Sequence, residues 1–464
     1  MFFQQILRTD IGCAAYVVAS TNAGLAAVID PRIDMVDEIL DLLQREGLQL
    51  RYIVETHNHA DHVSGHHQLA AATGATIAVS ALAGVAYPHL PLHDGDELEL
   101  GEVVLRAIHT PGHRPEHIVI AVIDRSRSSD PWIVLTGDTL FVGDVARPDL
   151  AIDGQEGAAA LFDSLHQRLL QLPPGTLVFP GHVAGSLCGR VNNRMTGTTI
   201  GFEARNNPAL RILDRQTFIR FMNENLPERP PNLARIVELN RAAEPPRMGT
   251  TTPLTPARVR ELVEQGAVVL DVRSPASFAA SHIPGAISVA LDGGQFQNRV
   301  GLVVPPDRTL VLVVEHDEDA HRAVQMLAVI GYDQVVGYLA GGMAAWERAG
   351  FPYRTLPVLT VHDLARWREE DPALEIVDVR EPSEWAEGHI PGARHIPFYR
   401  LLERWAELDP SRPIALVCGA GTRSALAASL LRARDFPRVY SVEGGMDAWR
   451  AAGLPTTRGA AVTV

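Results

Sequence analysis

Cysteine is scarce in this sequence: Cys13, Cys188 and Cys418 are the only three in 464 residues. So few and so scattered a set excludes a disulfide framework and a thiolate zinc cage, and each thiol has to be judged singly. Positive charge is also short. With 41 Lys and Arg against 55 Asp and Glu the formal net charge is −14, which argues against a nucleic-acid partner, since that needs a clustered basic surface to release counterions. Long apolar runs are missing as well. A composition of 46% hydrophobic and 21% charged residues is that of ordinary globular protein, and no stretch is apolar enough to span a bilayer. The opening MFFQQILRTDIG places Arg8 and Asp10 where a secretory peptide would need an unbroken apolar stretch, and no small-residue cleavage site follows. A cytoplasmic protein with small-molecule chemistry is expected.

What is present is, first, a repeat. VVLDVRSPASFAASHIPGAISV (268–289) is echoed by EIVDVREPSEWAEGHIPGARHI (375–396), and the copies end alike in LAGGMAAWERAGFP and VEGGMDAWRAAGLP. Two units of one type follow, each of ordinary domain size. Short β-branched runs such as VVLDV and IALVC alternate in them with helical patterns such as ALAASLLRAR, which predicts parallel sheets flanked by helices. Upstream, the Pro- and Thr-rich stretch 241–256 reads as a linker. The expected domains are 1–240, 254–353 and 358–460.

The N-terminal domain alternates strands with fewer helices, and several of its strands end on His or Asp. His57, His59, Asp61 and His62 stand in THNHADH directly after the apolar YIVE; His113, Asp138 and His182 each follow a later β run, in HTPGH, LTGD and PGH. One histidine on a loop would mean little in a chain with 18 of them. Seven such residues at strand ends suit a first-row metal, which takes imidazole and carboxylate ligands. His66, His67, His89, His93, His109 and His117 lack the pattern and are assigned to the surface or the surroundings of a site. Cys13, inside IGCAAYVV, reads as core.

HNHADH, HTPGH, TGD, PGH and the AVIDP run containing Asp30 resemble the metallo-β-lactamase superfamily over the whole N-terminal domain. The resemblance implies an αββα sandwich but not a single reaction, because hydrolases and dioxygenases share these motifs. Seven ligands could hold two zinc ions, as in the glyoxalase II branch, with Asp138 bridging them over an activated water. GDTLFVGDVARPDL (137–150) and GHVAGSLCG (181–189) instead resemble the persulfide dioxygenase branch, particularly members fused to rhodanese domains. That resemblance implies one Fe(II) per chain on a two-His-one-carboxylate triad of His57, His113 and Asp138, with His59, Asp61, His62 and His182 around it orienting the imidazoles and holding water. It also implies a substrate-pocket role for Arg147, whose guanidinium could pair with a carboxylate of the carrier thiol. Cys188 is expected at the mouth of the iron pocket, with a buried inert thiol as the alternative.

The second repeat holds CGAGTRS (418–424) between the strand IALV and the helix ALAASLLRAR. Glycines there let backbone N–H groups curl toward Cys418, while the helix N-terminus and Arg423 add positive potential, a setting that favours a thiolate. With DVREPSEW and GHIPGA upstream this copy resembles rhodaneses, and its six-residue loop has the sulfurtransferase length. In the first copy Glu315 takes the cysteine position, and a carboxylate cannot carry sulfane sulfur. The expected whole is an α/β chain, a metallo-β-lactamase sandwich followed by an inactive and an active rhodanese domain. It would oxidise a low-molecular-weight thiol persulfide with O2 to sulfite and pass a sulfane sulfur through Cys418 to give thiosulfate. The rivals are a dinuclear zinc thioester hydrolase with an appended sulfurtransferase and a sulfur-relay scaffold. A homo-oligomer is expected.

Overall fold

The structure, a computed structural model, describes residues 1–183, 195–224, 226 and 228–459. It divides into two compact units, Met1–Arg247 with Met326–Gly331, and Met248–Gln325 with Tyr332–Val464.

The first unit is built on two six-stranded sheets. One runs in chain order from Phe2–Arg8 through Cys13–Ser20, Leu25–Ile29, Gln49–Glu55 and Thr76–Ser80 to Leu90–Leu92; the other is ordered Thr198–Thr199, Leu177–Pro180, Ile133–Gly137, Ile118–Asp124, Val103–His109, Glu97–Leu100. The layering follows from the two-residue period of a strand. In Cys13–Ser20 every residue is buried, yet Ala14, Tyr16 and Val18 pack with Leu105, Ile120 and Leu135 of the opposite sheet, while Ala15, Val17 and Ala19 pack with Met35, Ile39 and Leu69 on the helical side. A strand covered on both faces needs side chains apolar at every position, and CAAYVVAS supplies them. The second sheet is covered outside by the helices Gly154–Gln167 and Arg215–Asn223, through Leu161, Leu165, Phe218 and Met222. The result is an αββα sandwich. The strand ends Glu55, Gly137 and Pro180 are the points from which the candidate ligands project.

The second unit contains the same five-stranded parallel sheet twice. Its orders are Pro253–Leu254, Val335–Leu339, Leu310–Val313, Val268–Asp271, Ile287–Ser288, and Val358–Leu359, Val439–Val442, Ile414–Val417, Glu375–Asp378, Arg394–His395. The repeated motifs turn out to be bonding patterns. In each Asp-Val-Arg the buried arginine closes on the aspartate two residues earlier and on one carbonyl: Arg273 on Asp271 and Ser281 O, Arg380 on Asp378 and Gly388 O. Each HIPGA histidine stacks on an aromatic ring four residues upstream, His282 on Phe278 at 3.9 Å and His389 on Trp385 at 3.4 Å. Each terminal tryptophan donates its indole N–H to the carbonyl of the closing proline, Trp346 to Pro352 and Trp449 to Pro455, both at 2.9 Å.

The helix Thr422–Arg432 has no polar face: Ser424 through Leu431 are all buried. One side covers its own sheet, and the other lies against the first copy, where the Ser288 N–H donates to Ser429 Oγ at 3.0 Å. No helix among the described residues is long and apolar enough to cross a membrane.

Because Arg380 and Asp378 are each about 1% exposed, Arg380→Ala should leave an uncompensated buried carboxylate and cost about 3–5 kcal/mol. Urea unfolding measures it, and a loss under about 1 kcal/mol would show that the pair does not hold the sheet edge.

Candidate active site

Four strand ends meet at one edge of the sandwich. Thr56 to His62 leave the strand Gln49–Glu55, His113 lies in the turn after Val103–His109, Asp138 follows Ile133–Gly137, and His182 follows Leu177–Pro180. Gly137 makes the approach possible: its φ is +45°, and a Cβ there would stand 2.6 Å from Thr56 Oγ1 and 2.7 Å from His117 Nε2.

The seven histidines and aspartates separate into three buried groups. His57, His113 and Asp138 converge, with Asp138 Oδ2 at 3.9 Å from His57 Nε2 and 3.5 Å from His113 Nε2. Asp61, His62 and His182 form a second group, joined by Cys13, whose Sγ lies 3.6 Å from Asp61, 3.7 Å from His62 Nδ1 and 3.6 Å from His182 Nε2. His59 turns away and sits between Asp30 (3.1 Å) and Glu55 (3.2 Å).

Hydrogen bonds decide which atoms of the first group are available. The Thr56 hydroxyl donates to Asp30 Oδ2 at 2.8 Å, so its oxygen receives the Nδ1–H of His57 at 2.9 Å and the Nε2 lone pair is left pointing at Asp138. His113 Nδ1–H donates to the Arg147 carbonyl at 3.0 Å, which fixes the same tautomer. Asp138 is held at both ends: its N–H donates to His117 Nε2 at 3.0 Å, and Oδ1 accepts from His182 Nδ1 at 2.7 Å. His57 Nε2 and Asp138 Oδ2 are buried with no hydrogen-bond partner among the described residues. One imidazole lone pair and one carboxylate oxygen, buried and unspent, with His113 Nε2 converging on the same carboxylate oxygen, fit a first-row metal ion.

Charge follows the same division. Burial, with the neighbouring His59, His117 and His113, holds His57 well below the usual imidazole range, and burial lowers His113 against the opposing pull of Asp138. Burial alone would raise Asp138, but the charge and hydrogen bond of His182 outweigh it and bring the carboxyl to about 2. The triad is therefore two neutral imidazoles and a carboxylate. His59 goes the other way: burial opposes its charge, and Asp30 and Glu55 raise it well above its ordinary value.

Arg147 is buried, and its Nε and Nη2 donate to Asp149 at 2.7 and 2.9 Å, with Arg229 on the same carboxylate. Its carbonyl is what orients His113. Cys188 lies outside the described residues. Sequence reasoning passed over Thr56, left His117 to the surface or the surroundings of a site and read Cys13 as core; all three stand in this network. Asp30 was visible in the AVIDP motif without a role.

In the second unit the Gly421 N–H donates to Cys418 Sγ at 3.0 Å. The loop carbonyls are drawn outward, since Met446 and Asp447 donate their N–H groups to Cys418 O (2.7 Å) and Gly419 O (3.0 Å). Gly445 is required at this contact: its φ is +49° and a Cβ would lie 2.2 Å from Cys418 O. Arg423 grips Glu384 with both terminal nitrogens, at 2.5 and 2.8 Å. In the first copy Glu315 accepts from the Ser274 N–H (3.3 Å) and the Ser277 hydroxyl (3.0 Å), so the carboxylate at the cysteine position serves the start of the helix Pro275–Ala280.

Residues 8–182 match the metallo-beta-lactamase superfamily, and residues 255–349 and 360–452 each match the rhodanese-like domain. The chain is similar to the mitochondrial persulfide dioxygenase ETHE1 of Homo sapiens, 31% identical over 216 residues, 46% of this chain and 77% of that protein. It is also similar to a hydroxyacylglutathione hydrolase of Methylobacillus flagellatus, 34% identical over 169 residues, 36% of this chain and 61% of the hydrolase. Among solved structures, a metallo-beta-lactamase from Staphylococcus aureus superposes with a TM-score of 0.65 at 28% identity, covering 73% of this chain and 98% of that one.

Thr56→Val should remove the acceptor of His57 Nδ1–H and lower metal affinity about tenfold to a hundredfold, measured by chelator competition. Unchanged affinity would show that the Asp30–Thr56–His57 line does not orient the ligand. Because His57 and His113 are shifted down, they stay neutral as pH falls through 6.5, the ordinary imidazole value. Protons then compete with the metal only at lower pH, and metal should be retained below pH 6.5 in an acid titration. Release at or above that pH would contradict the assignment.

Proposed function

Since the chain belongs to the persulfide dioxygenase family through its N-terminal domain and carries two rhodanese-like domains behind it, we propose that it oxidises a low-molecular-weight thiol persulfide with O2 to sulfite and transfers a further sulfane sulfur to give thiosulfate. The observation that carries this reading is the group His57, His113 and Asp138, whose converging donor atoms include two that are buried without a partner. Three protein ligands on one face leave coordination positions for a thiolate sulfur and for O2. An Fe(II) ion held there would supply the redox chemistry that zinc lacks.

The chain's own residues have definable parts. Thr56 and the Arg147 carbonyl hold the two imidazoles with their lone pairs toward the ion, and His117 and His182 hold Asp138 so that one oxygen faces it. Arg147, shared with Asp149, would meet a carboxylate of the carrier thiol. The balanced reaction takes one persulfide, one O2 and one water to one thiol, one sulfite and two protons.

At the second site the Cys418 thiolate would take the outer sulfur of another persulfide, releasing its carrier thiol. Sulfite then attacks that sulfur, the Cys418–sulfur bond breaks with its electron pair returning to Sγ, and thiosulfate leaves. Gly421 N–H and the start of the helix Thr422–Arg432 stabilise the anionic sulfur.

A zinc thioester hydrolase is the second reading. It is favoured by the Cys13, Asp61, His62 and His182 group beside the triad and by the likeness to a hydroxyacylglutathione hydrolase.

Metal analysis with an oxygen electrode separates the two. Purified protein should hold close to one iron per chain, and Ala at His57, His113 or Asp138 should abolish both iron and O2 uptake. Two zinc ions with thioester hydrolysis and no O2 uptake would sink the dioxygenase reading. Cys418→Ser should shift the product from thiosulfate to sulfite while O2 uptake continues; thiosulfate formed at the parent rate would remove Cys418 as the carrier.

A further inference from the structure

Sulfur transfer at Cys418 brings a sulfur dianion against an anionic persulfide, and the repulsion has to be offset by positive charge. Arg423 does not supply it freely, because both of its terminal nitrogens are committed to Glu384. Another cation stands beside the same loop. We infer that Arg299, on the copy that lacks the cysteine, is the anion-binding and specificity-determining residue of the Cys418 pocket, for sulfur oxyanions carrying two negative charges. The inference rests on the sulfurtransferase reading of Cys418 and deepens it.

Its geometry comes from the packing of the two copies within the second unit. The segment before Arg299 abuts the first residue of the Cys418 helix: a Cβ on Gly293 would stand 2.7 Å from Thr422 Cγ2 and 3.0 Å from Arg299 Nη1. The same Nη1 donates to Gly293 O at 3.0 Å, which holds the guanidinium at this junction. Arg322 pins the neighbouring Asp292 through both carboxylate oxygens, and the Ser288 to Ser429 hydrogen bond ties the copies a few residues away. Arg299 is half-buried and has no carboxylate partner among the described residues. The charged groups that act on it are Arg423, Cys418 and Glu384; burial first, then the like charge of Arg423, lowers its pKa, while Cys418 opposes that shift. A guanidinium so placed is short of an anion, and a sulfonate-type oxygen edge matches its fork.

The arrangement also gives the cysteine-less copy a chemical task. Its position equivalent to Cys418 is occupied by Glu315, bonded to Ser274 and Ser277, whereas its Arg299 lies beside the Thr422 end of its twin's loop.

The test uses the full chain with thiosulfate as sulfur donor and cyanide as acceptor, read as thiocyanate. Arg299→Gln should raise KM for thiosulfate about tenfold or more, the range of a lost charge-assisted hydrogen bond, and move KM for cyanide, which carries at most one charge, far less. Arg299→Lys should regain most of the loss. In the parent, KM for thiosulfate should climb with ionic strength, and this dependence should flatten in Arg299→Gln. Equal effects on both substrates, or thiosulfate kinetics unchanged in Arg299→Gln and in the salt series, would overturn the inference while leaving Cys418 as the carrier. A parent that forms no thiocyanate at all would overturn the sulfurtransferase reading and this inference with it. Should Arg299→Gln fail to fold, the salt dependence of the parent and the Lys variant decide alone.

Discussion

The single proton of the Thr56 hydroxyl goes to Asp30, and the state of the metal-binding group follows from that assignment. With the proton spent, Thr56 can only accept from His57, so the imidazole must carry its hydrogen on Nδ1 and present a lone pair on Nε2. The Arg147 carbonyl, having no proton to give, imposes the same choice on His113. Acceptors that cannot reverse their role thus set the tautomers of both imidazoles. The scaffold's part is to bring Asp30, from the end of one strand, against Thr56, from the end of its parallel neighbour, and the pairing of Leu25–Ile29 with Gln49–Glu55 does this.

Around that line the site is divided by charge. His59 between Asp30 and Glu55 is favoured as the cation, and His57, 4.2 Å away ring to ring, is thereby pushed toward neutrality. The division explains why a motif with four candidate ligands in six residues does not deliver them all to one ion. His57 points to the triad, His59 to a buried ion pair, and Asp61 with His62 to the group containing Cys13.

Much of this was legible in the sequence for physical reasons. Strands such as CAAYVVAS declare burial on both faces, the repeat declares two copies of one sheet, and His or Asp after an apolar run declares a strand-end site. The rest depends on contacts between residues far apart in the chain. Cys13 sits in an apolar run indistinguishable from core, and only folding sets its sulfur beside Asp61 and His182. His117 has no motif, because its part is to accept one backbone N–H from the end of the neighbouring strand. Arg299 lies in the copy dismissed for lacking a nucleophile, and its relevance comes from the packing of that copy on its twin. The repeat motifs, read as marks of a shared fold, encode an internal ion pair and a ring stack, contacts that the repeat alone does not disclose.

The helix that begins at the Cys418 loop is buried all round from Ser424 to Leu431, with Ala425, Leu426, Ala427, Ala428, Leu430 and Leu431 each 2% exposed or less. An isolated second copy would show one side of that helix to water, an apolar patch of the kind that drives association. The two copies are therefore joined in cooperativity as well as in sequence: neither the loop that positions Cys418 nor the helix behind it reaches its full stability until the copy without a nucleophile has folded against it. The duplicated sheet thus forms one compact unit, in which one copy supplies the wall against which the other's cysteine loop is set.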